Sequence, residues 1–566
     1  MPMGRQTQCL VTVLAFTAAL WAVNILWLQR DTRPPVWDMA LHQSYALNYV
    51  PQSREPAQAM SWASRSGNYP PFVHMTIALC FLIFHPSPHI AVLANIPATM
   101  LLFWAVYMLG WDLAGARAAR WACLLTALTP YLLWMSRETV LDYWLAAWVA
   151  AGLVALRKTE GFESHSRSFL FGLTCALGML TKWFFAAFLF LPLLYVGIRF
   201  RIWRDRARML HLADALLVAG LGAGVWYLPN LPNLTRYFME NAQVGALEGE
   251  PRVFSFQSLI YYLRLLEGYQ LFGILFLLLI LAVVFTWRRR LLRDGKFLIA
   301  AVCGGWLAMT LLRTKDPRFT MPLLGPMFIV AGAWLQSWSN TRQVYVLKAG
   351  LALVLGFQAY AANFGVRWLP QEIVLAHGYS GSLRWDWNLY LQHYFHVLGA
   401  PRREDWKLEA ILGKVAEDAR TRNAPPDLAL IPDLPRFNAM NFTLTARLRG
   451  WPVHVRHLRT QPDGVQAFDG FQYVVMTDGD QGMSWTTGFS RALSEIIVDD
   501  PRTFRLVELY ILPDGSCARL YSIHRSSTEE DGPRRVDAEK DIVSSYRQSS
   551  IPCSSTRPAC SALRLL

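Results

Sequence analysis

The sequence predicts a polytopic α-helical membrane protein of about eleven spans, with a small C-terminal α/β domain on the outer face. Three observations predict it. Of 566 residues, 54% are hydrophobic and 17% charged, and apolar runs of spanning length recur through the first two-thirds. A run of about 20 apolar residues matches a hydrocarbon core about 30 Å thick. Lys and Arg gather in the short loops between those runs, which is the positive-inside pattern. After residue 363 the long apolar runs stop and strand and helix patterns alternate.

The first apolar stretch follows Arg5, runs from Leu10 to Leu28 and ends LQRDTR, without a small-residue cleavage site. It is too long for a signal-peptide core and reads as an uncleaved first span. Spans follow near 88–110, 119–135, 139–156, 168–182, 184–199, 212–229, 270–287, 296–312, 320–337 and 344–362. The stretch 71–85 is short, opens with Pro70–Pro71 and reads as a re-entrant or interfacial helix. Eleven spans with the N-terminus inside put Arg117/Arg120, Arg157/Lys158, 199–208 and 288–296 on the cytoplasmic side. An odd number of spans leaves the C-terminal part outside, periplasmic if the membrane is a bacterial inner membrane.

Residues 1–363 therefore form a transmembrane module with two long outer loops, 29–87 and 230–269. Both loops are rich in Trp, Tyr and Pro and are expected to carry amphipathic surface helices. Residues 364–404 read as a linker and 405–525 as the α/β domain: a strand at 428–432, a helix in PRFNAMNFTLTARLRG stopped by Gly, strands at 452–458 and 473–479, and a hairpin turned at Pro513–Gly515. Residues 526–566 are polar, rich in Ser and Arg, and expected to be disordered. Cys9, Cys80, Cys123, Cys175 and Cys303 lie in or beside apolar runs and read as small buried hydrophobes. A Cys553–Cys560 disulfide is compatible with an outer location, and the absence of any CxxC pair argues against a zinc site. The net charge of +14 sits in membrane-flanking loops, and no nucleic-acid-binding signature accompanies it.

Four constellations carry chemistry. In MSRETVLDYW, Arg137, Glu138 and Asp142 stand between two apolar runs, and Glu138 and Asp142 would share a helical face. A carboxylate inside an apolar helix is costly and usually faces a polar cavity. In PPVWDMALHQSYALNYV, Asp38, His42, Tyr45 and Tyr49 form one helical stripe just after the first span. Asp38 is a helix cap or a site acid; His42 reads first as an interfacial histidine, and the tyrosines as membrane-surface anchors. In GMLTKWFF, Lys182 either snorkels to the surface or is a fixed cation at membrane level. In LLRTKDPRFTMPLLGP, Arg313, Lys315 and Arg318 put positive charge in an outer loop, against the topological trend, and an anion bound there would account for it. Acids and cations together at one membrane face suit a lipid-linked phosphate sugar. The cations would stabilise the phosphate as leaving group, and a carboxylate would deprotonate the acceptor.

These motifs resemble those of the GT-C class of polyprenol-phosphate-sugar glycosyltransferases, in particular the protein O-mannosyltransferase and aminoarabinose (lipid A) transferase-like group. The resemblance covers about 10–340. It rests on Asp38 after the first span, the Pro-Pro motif in NYPPFVHM, SRETVLD, GMLTK, GVWYLPN and DPRFTMPLLGP, in that order. It implies a GT-C-like fold and a membrane glycosyltransferase acting on a polyprenyl-phosphate sugar donor. Asp38 is implied as catalytic base and Asp142 as second acid. Lys182 and Arg318 would face the donor phosphate, helped by Arg313 and Lys315. Arg137, Glu138, His42, Tyr69, Trp226 and Tyr227 are expected to line the site. Two departures stand out: Met39 follows Asp38 where an Asp-Glu pair is usual, and Asn68–Tyr69 replace the acid and Lys that precede the Pro-Pro motif in lipid A-type enzymes. Donor sugar, acceptor (lipid, glycan or protein) and any divalent metal therefore stay open, and no other cofactor is implied. A transporter or lipid flippase is the competing reading, weakened by charges at one face rather than midplane and by the lack of a repeat. A non-catalytic scaffold of the same fold is the third.

Overall fold

The computed structural model describes residues 4–51, 61–380, 383–391, 399–419, 424–459 and 464–524. The expected disordered tail and the Cys553–Cys560 pair lie outside these residues. Helices dominate as far as residue 364, because lipid offers no partner for an exposed backbone amide and a helix satisfies its own. In chain order they are α1 Arg5–Leu28, α2 Trp37–Leu47, α3 Phe72–Ile83, α4 Pro88–Leu93, α5 Asn95–Ala114, α6 Ala116–Ala127, α7 Pro130–Met135 and α8 Leu141–Lys158. There follow α9 His165–Met179, α10 Phe185–Phe200, α11 Arg206–Leu247, α12 Phe256–Leu265, α13 Phe272–Arg288, α14 Gly295–Thr310, α15 Leu324–Ser337 and α16 Arg342–Phe364.

Every segment read as a span falls on a helix or a broken helix pair. Among the described residues, six helical stretches are long and apolar enough to cross a bilayer by length and composition: Arg5–Leu28, Pro88–Ala114, Arg206–Leu247, Phe256–Arg288, Pro317–Ser337 and Arg342–Phe364. The chain is an integral membrane protein. Helix α8 is buried along most of its length. Its Ala146, Ala147, Ala150 and Gly152 allow close neighbours, and a Cβ added at Gly152 would come within 2.8 Å of Leu189 on α10. Gly332 does the same for α15, which lies so close to α6 that a Cβ there would strike the Ala118 carbonyl.

The basic loops collect at one end of the bundle. Arg157 pairs with Asp112 at 2.6 Å and Asp294 at 2.9 Å, and Arg199 reaches Asp294 at 2.6 Å. At the other end lie the two long loops. The first holds α2 and α3; α3 has 12 residues, about 18 Å of helix, well short of the hydrocarbon thickness.

The second differs from expectation. Its first half is no surface helix but the continuation of α11, 42 residues long, through Pro229 and Pro232. Tertiary contacts hold it there: Trp226 Nε1 and Asn230 Nδ2 both donate to the Ala63 carbonyl, at 3.0 and 3.2 Å. The segment read as a linker also holds structure, an antiparallel hairpin of β1 Glu372–Ser380 and β2 Leu383–Leu391. Asn388 N donates to Glu267 Oε1 at 2.9 Å, and Trp387 packs on Phe276, so the hairpin seals the start of α13. Its aromatic-rich strands carry the β signal that a reading tuned to long apolar runs passes over. Cys303 is exposed on the outside of the bundle, whereas Cys80 and Cys175 are half-buried and pack against the edge of its core.

The C-terminal unit contains α17 Leu408–Ala419, β3 Asp427–Leu430, α18 Ala439–Arg449, β4 His454–His457, β5 Tyr473–Thr477, α19 Ser484–Thr487, α20 Ser490–Asp499, β6 Phe504–Ile511 and β7 Cys517–Ile523. Its sheet order is β4-β3-β5-β7-β6, with β3 parallel to β4 and β5, and β7 antiparallel to β5 and β6. Leu428 and Leu430 point to a core with α17 and α18, while Ala429 and Ile431 point to one with α20. Gly450 ends α18 in the left-handed region, as the sequence stop signal requires.

Candidate active site

The first turn of α2 presents Asp38. Val36 rather than Asp38 caps the helix, which leaves the carboxylate free to reach sideways. Arg318 Nη1 meets its Oδ2 at 3.1 Å. Arg318 itself is clamped by Asp316, whose Oδ2 accepts from Nε at 2.9 Å and Nη2 at 2.8 Å while Oδ1 caps the short 3-10 turn Pro317–Leu323. Burial pushes the Asp316 carboxyl up, but the charge and hydrogen bonds of Arg318 outweigh it and hold the group below the usual range.

Beside this cluster lies a second pair. Asp142 stands in the first turn of α8, and Lys182 in the turn between α9 and α10; they meet at 2.7 Å, almost fully enclosed. Lys182 Nζ also sits 4.9 Å from the centre of the Phe319 ring, next in sequence to Arg318. One wall therefore carries Asp38, Arg318, Asp316, Lys182 and Asp142. Lys182 is a fixed cation, not a snorkelling one.

Aromatic and histidine side chains form the adjoining wall. His42 Nδ1 lies 2.9 Å from His74 Nε2, and the Tyr69 hydroxyl 2.7 Å from that of Tyr237. Tyr69 stacks on Trp183 and meets His42 edge-on. Burial pushes His42 down to about 3, and the charges of Arg318 and Lys182 press the same way. His42 is thus a neutral ring in a cationic basin, not an interfacial histidine. Tyr45 and Tyr49 likewise pack inward, Tyr45 on Tyr69 and His74, and Tyr49 against Ser66.

Several expected residues lie elsewhere. Arg137 is buried between α1 and α16, donating to Asn24 Oδ1 at 3.1 Å and Asn363 Oδ1 at 2.6 Å with Trp27 beneath it. Glu138 accepts from Trp134 Nε1 at 2.7 Å and precedes α8, so it shares no helical face with Asp142. Arg313 donates to the Glu250 carbonyl at 2.8 Å, and Lys315 Nζ to the carbonyls of Thr310 and Leu312, both at 2.9 Å. Arg313 thus ties its loop to the segment after α11, Lys315 closes the end of α14, and neither cation joins the acid cluster. Trp226 is wholly buried against Ala63, and Tyr227 donates to the Met179 carbonyl at 2.8 Å, bracing the turn that carries Lys182.

Four residues near the site were not singled out by sequence: Asp316, His74, Tyr237 and Glu248. Asp316 and His74 sat inside the motifs DPRF and NYPPFVHM, while nothing local marked the other two. Burial pushes the Glu248 carboxyl up to about 7, with Asp316 adding and Arg318 opposing. Among the described residues, no three His, Cys, Asp or Glu side chains converge as a metal site would require.

Comparison with known proteins bears on the fold that carries this cluster. The chain aligns with the crystal structure of ArnT from Cupriavidus metallidurans in the apo state, with a TM-score of 0.56 at 15% identity, over 91% of this chain and 98% of that one. The same protein bound to undecaprenyl phosphate aligns with a TM-score of 0.55 at 15% identity, over 90% and 97%. The chain has the GT-C fold. The resemblance drawn from the motifs stands. A family model described as dolichyl-phosphate-mannose-protein mannosyltransferase matches residues 68–231, a stretch of the GT-C module that contains Tyr69, Asp142 and Lys182. Two curated relatives bear the name undecaprenyl phosphate-alpha-4-amino-4-deoxy-L-arabinose arabinosyl transferase. The Serratia proteamaculans (strain 568) protein is 25% identical over 276 residues, 45% of this chain and 46% of the relative. The Edwardsiella ictaluri (strain 93-146) protein is 30% identical over 293 residues, 48% and 50%. The matched region thus spans about half the length of these relatives.

Proposed function

We propose that this protein is a membrane glycosyltransferase that moves a sugar from a polyprenyl-phosphate donor to an acceptor at the outer, periplasmic face of a bacterial inner membrane. The carrying observation is Arg318 bridging Asp38 and Asp316 beside the Lys182–Asp142 pair. The names of the curated relatives and the undecaprenyl phosphate in the similar structure support the donor class. The charge distribution of the loops supports the orientation.

In this reading Asp38 is the general base. It takes the proton of the acceptor hydroxyl or amine as that atom attacks the anomeric carbon. The bond from that carbon to the phosphate oxygen breaks, and its electron pair leaves with the polyprenyl phosphate. Arg318 and Lys182 stabilise the leaving phosphate. A single displacement inverts the anomeric centre. The Arg318–Asp38 contact gives the steps an order: a donor phosphate that draws Arg318 toward itself frees Asp38 to accept a proton.

The test supplies purified protein in nanodiscs with a panel of polyprenyl-phosphate monosaccharides, wild type beside Asp38→Asn at equal folded yield. Wild-type turnover that falls about 100-fold or more in the variant is the expected result for loss of a general base. Turnover untouched by the change removes Asp38 from the role. No turnover with any donor, together with lipid flipping, moves the protein to the transporter reading.

A further inference from the structure

A cavity of about 460 Å³ opens at the end of the bundle opposite the acid cluster, between α1, α6, the end of α15 and α16. Its distance from the site follows from the helices that line it. Asn363 of α16 holds Arg137, which follows α7 at the site end, whereas Lys348 lies 15 residues earlier, about 22 Å along the helix. Gln336 closes α15 at the same remote end, bonded to Ala114 and Ala118 at the turn between α5 and α6.

The lining has two characters. Phe16, Trp121, Leu124 and Ala352 make an apolar floor. Arg117, Arg120 and Lys348 make a cationic rim. Among the described residues none of these three makes an ion pair or a side-chain hydrogen bond, and no Asp or Glu lines the cavity. Lys348 is only 7% exposed, one and a half turns inside α16. An ammonium drawn part-way out of water at a cavity wall, with two guanidinium groups and no carboxylate around it, favours an anion beside it. At the same end Arg157 and Arg199 are neutralised by Asp294. The three rim cations have no such carboxylate beside them and face one shared cavity.

We infer that this cavity binds the phosphate headgroup of an anionic glycerophospholipid, with the start of an acyl chain on the apolar floor. The three cations complement the anionic phosphodiester in sign and offer several hydrogen-bond donors to its oxygens, and the floor matches the hydrocarbon joined to it. A cavity of this volume holds a headgroup and the first carbons of a chain. The inference does not depend on the reaction proposed above.

The test is native mass spectrometry of the full chain in detergent, titrated with phosphatidylglycerol or with phosphatidylcholine of the same acyl chains. Wild type should retain phosphatidylglycerol selectively. The triple variant Arg117→Gln/Arg120→Gln/Lys348→Gln should retain it on the order of 100-fold more weakly. Ala352→Trp keeps every charge but fills the floor, and should also release the lipid, so the test survives poor folding of the triple variant. Equal retention of both lipids overturns the inference, as does unchanged retention in both variants. Retention abolished by millimolar inorganic phosphate overturns it too, by making the site a free-phosphate site.

Discussion

Lys182 and Asp142 show what burial does to a charge pair. Each is enclosed, and each compensates the other. Removing one partner leaves an uncompensated charge, at a cost of about 3–5 kcal/mol, whereas replacing both is often near neutral. Lys182→Met should therefore lower the melting temperature in detergent sharply, and Asp142→Leu combined with it should restore much of the loss without restoring sugar transfer. A double variant as unstable as the single one would show that the pair is not a unit. His42 gives a pH signature. Its folded pKa, about 3, lies below the unfolded value near 6.5, so between those values the unfolded chain binds the extra proton. Stability from this group is present above pH 6.5 and is lost as pH falls toward 3. A melting temperature that drops on acidification from pH 7 to 4.5, and drops less in His42→Asn, is the expected result; identical slopes would remove His42 as its source.

At the scale of the element, α2 carries the proposed base but is not held by the membrane helices alone. The C-terminal domain grips it through α18. Arg447 donates to the Ser44 carbonyl and, at 2.8 Å, to Asn48 Oδ1, and Asn441 reaches the Pro35 carbonyl. At the start of α2, Trp37 has φ of 20°, a region costly for a bulky residue. It is held by the Pro435 carbonyl at 3.1 Å and Asp433 at 3.2 Å. The domain thus fixes the entry angle of the helix that presents Asp38. Arg447→Ala should loosen α2 by about 1.5–3 kcal/mol, the range for hydrogen bonds from a charged group. Hydrogen exchange of the amides at 40–48 should accelerate, with β3 and β5 unchanged. Equal exchange in both proteins would mean that the membrane module orients α2 by itself.

At the scale of the whole molecule, hydropathy and positive charge located the helices and the break into the C-terminal sheet without reference to any contact. A bilayer admits few alternatives for a long apolar run, and the short continuous apolar runs of β3 and β5 are a local property of the chain. The errors in the fold share a cause. The continuation of α11 past its prolines and the hairpin at 372–391 both depend on partners elsewhere, Ala63 for one and Glu267 with Phe276 for the other. The site was legible in part. Asp38, Asp142, Lys182 and Arg318 drew attention as charges in costly places, and the same criterion wrongly included Arg137, whose cost is met by Asn24 and Asn363. Composition and periodicity by themselves determined that this chain is a membrane bundle with an appended sheet, and which residues had to find partners. Tertiary structure alone decided which partners they found. Lys182 and Asp142 are 40 positions apart, and Arg318 and Asp38 are 280 apart. Burial cost is set by a residue and its neighbours in sequence, whereas charge neutralisation is set by distance in space, and only packing brings such positions within 3 Å or so of each other.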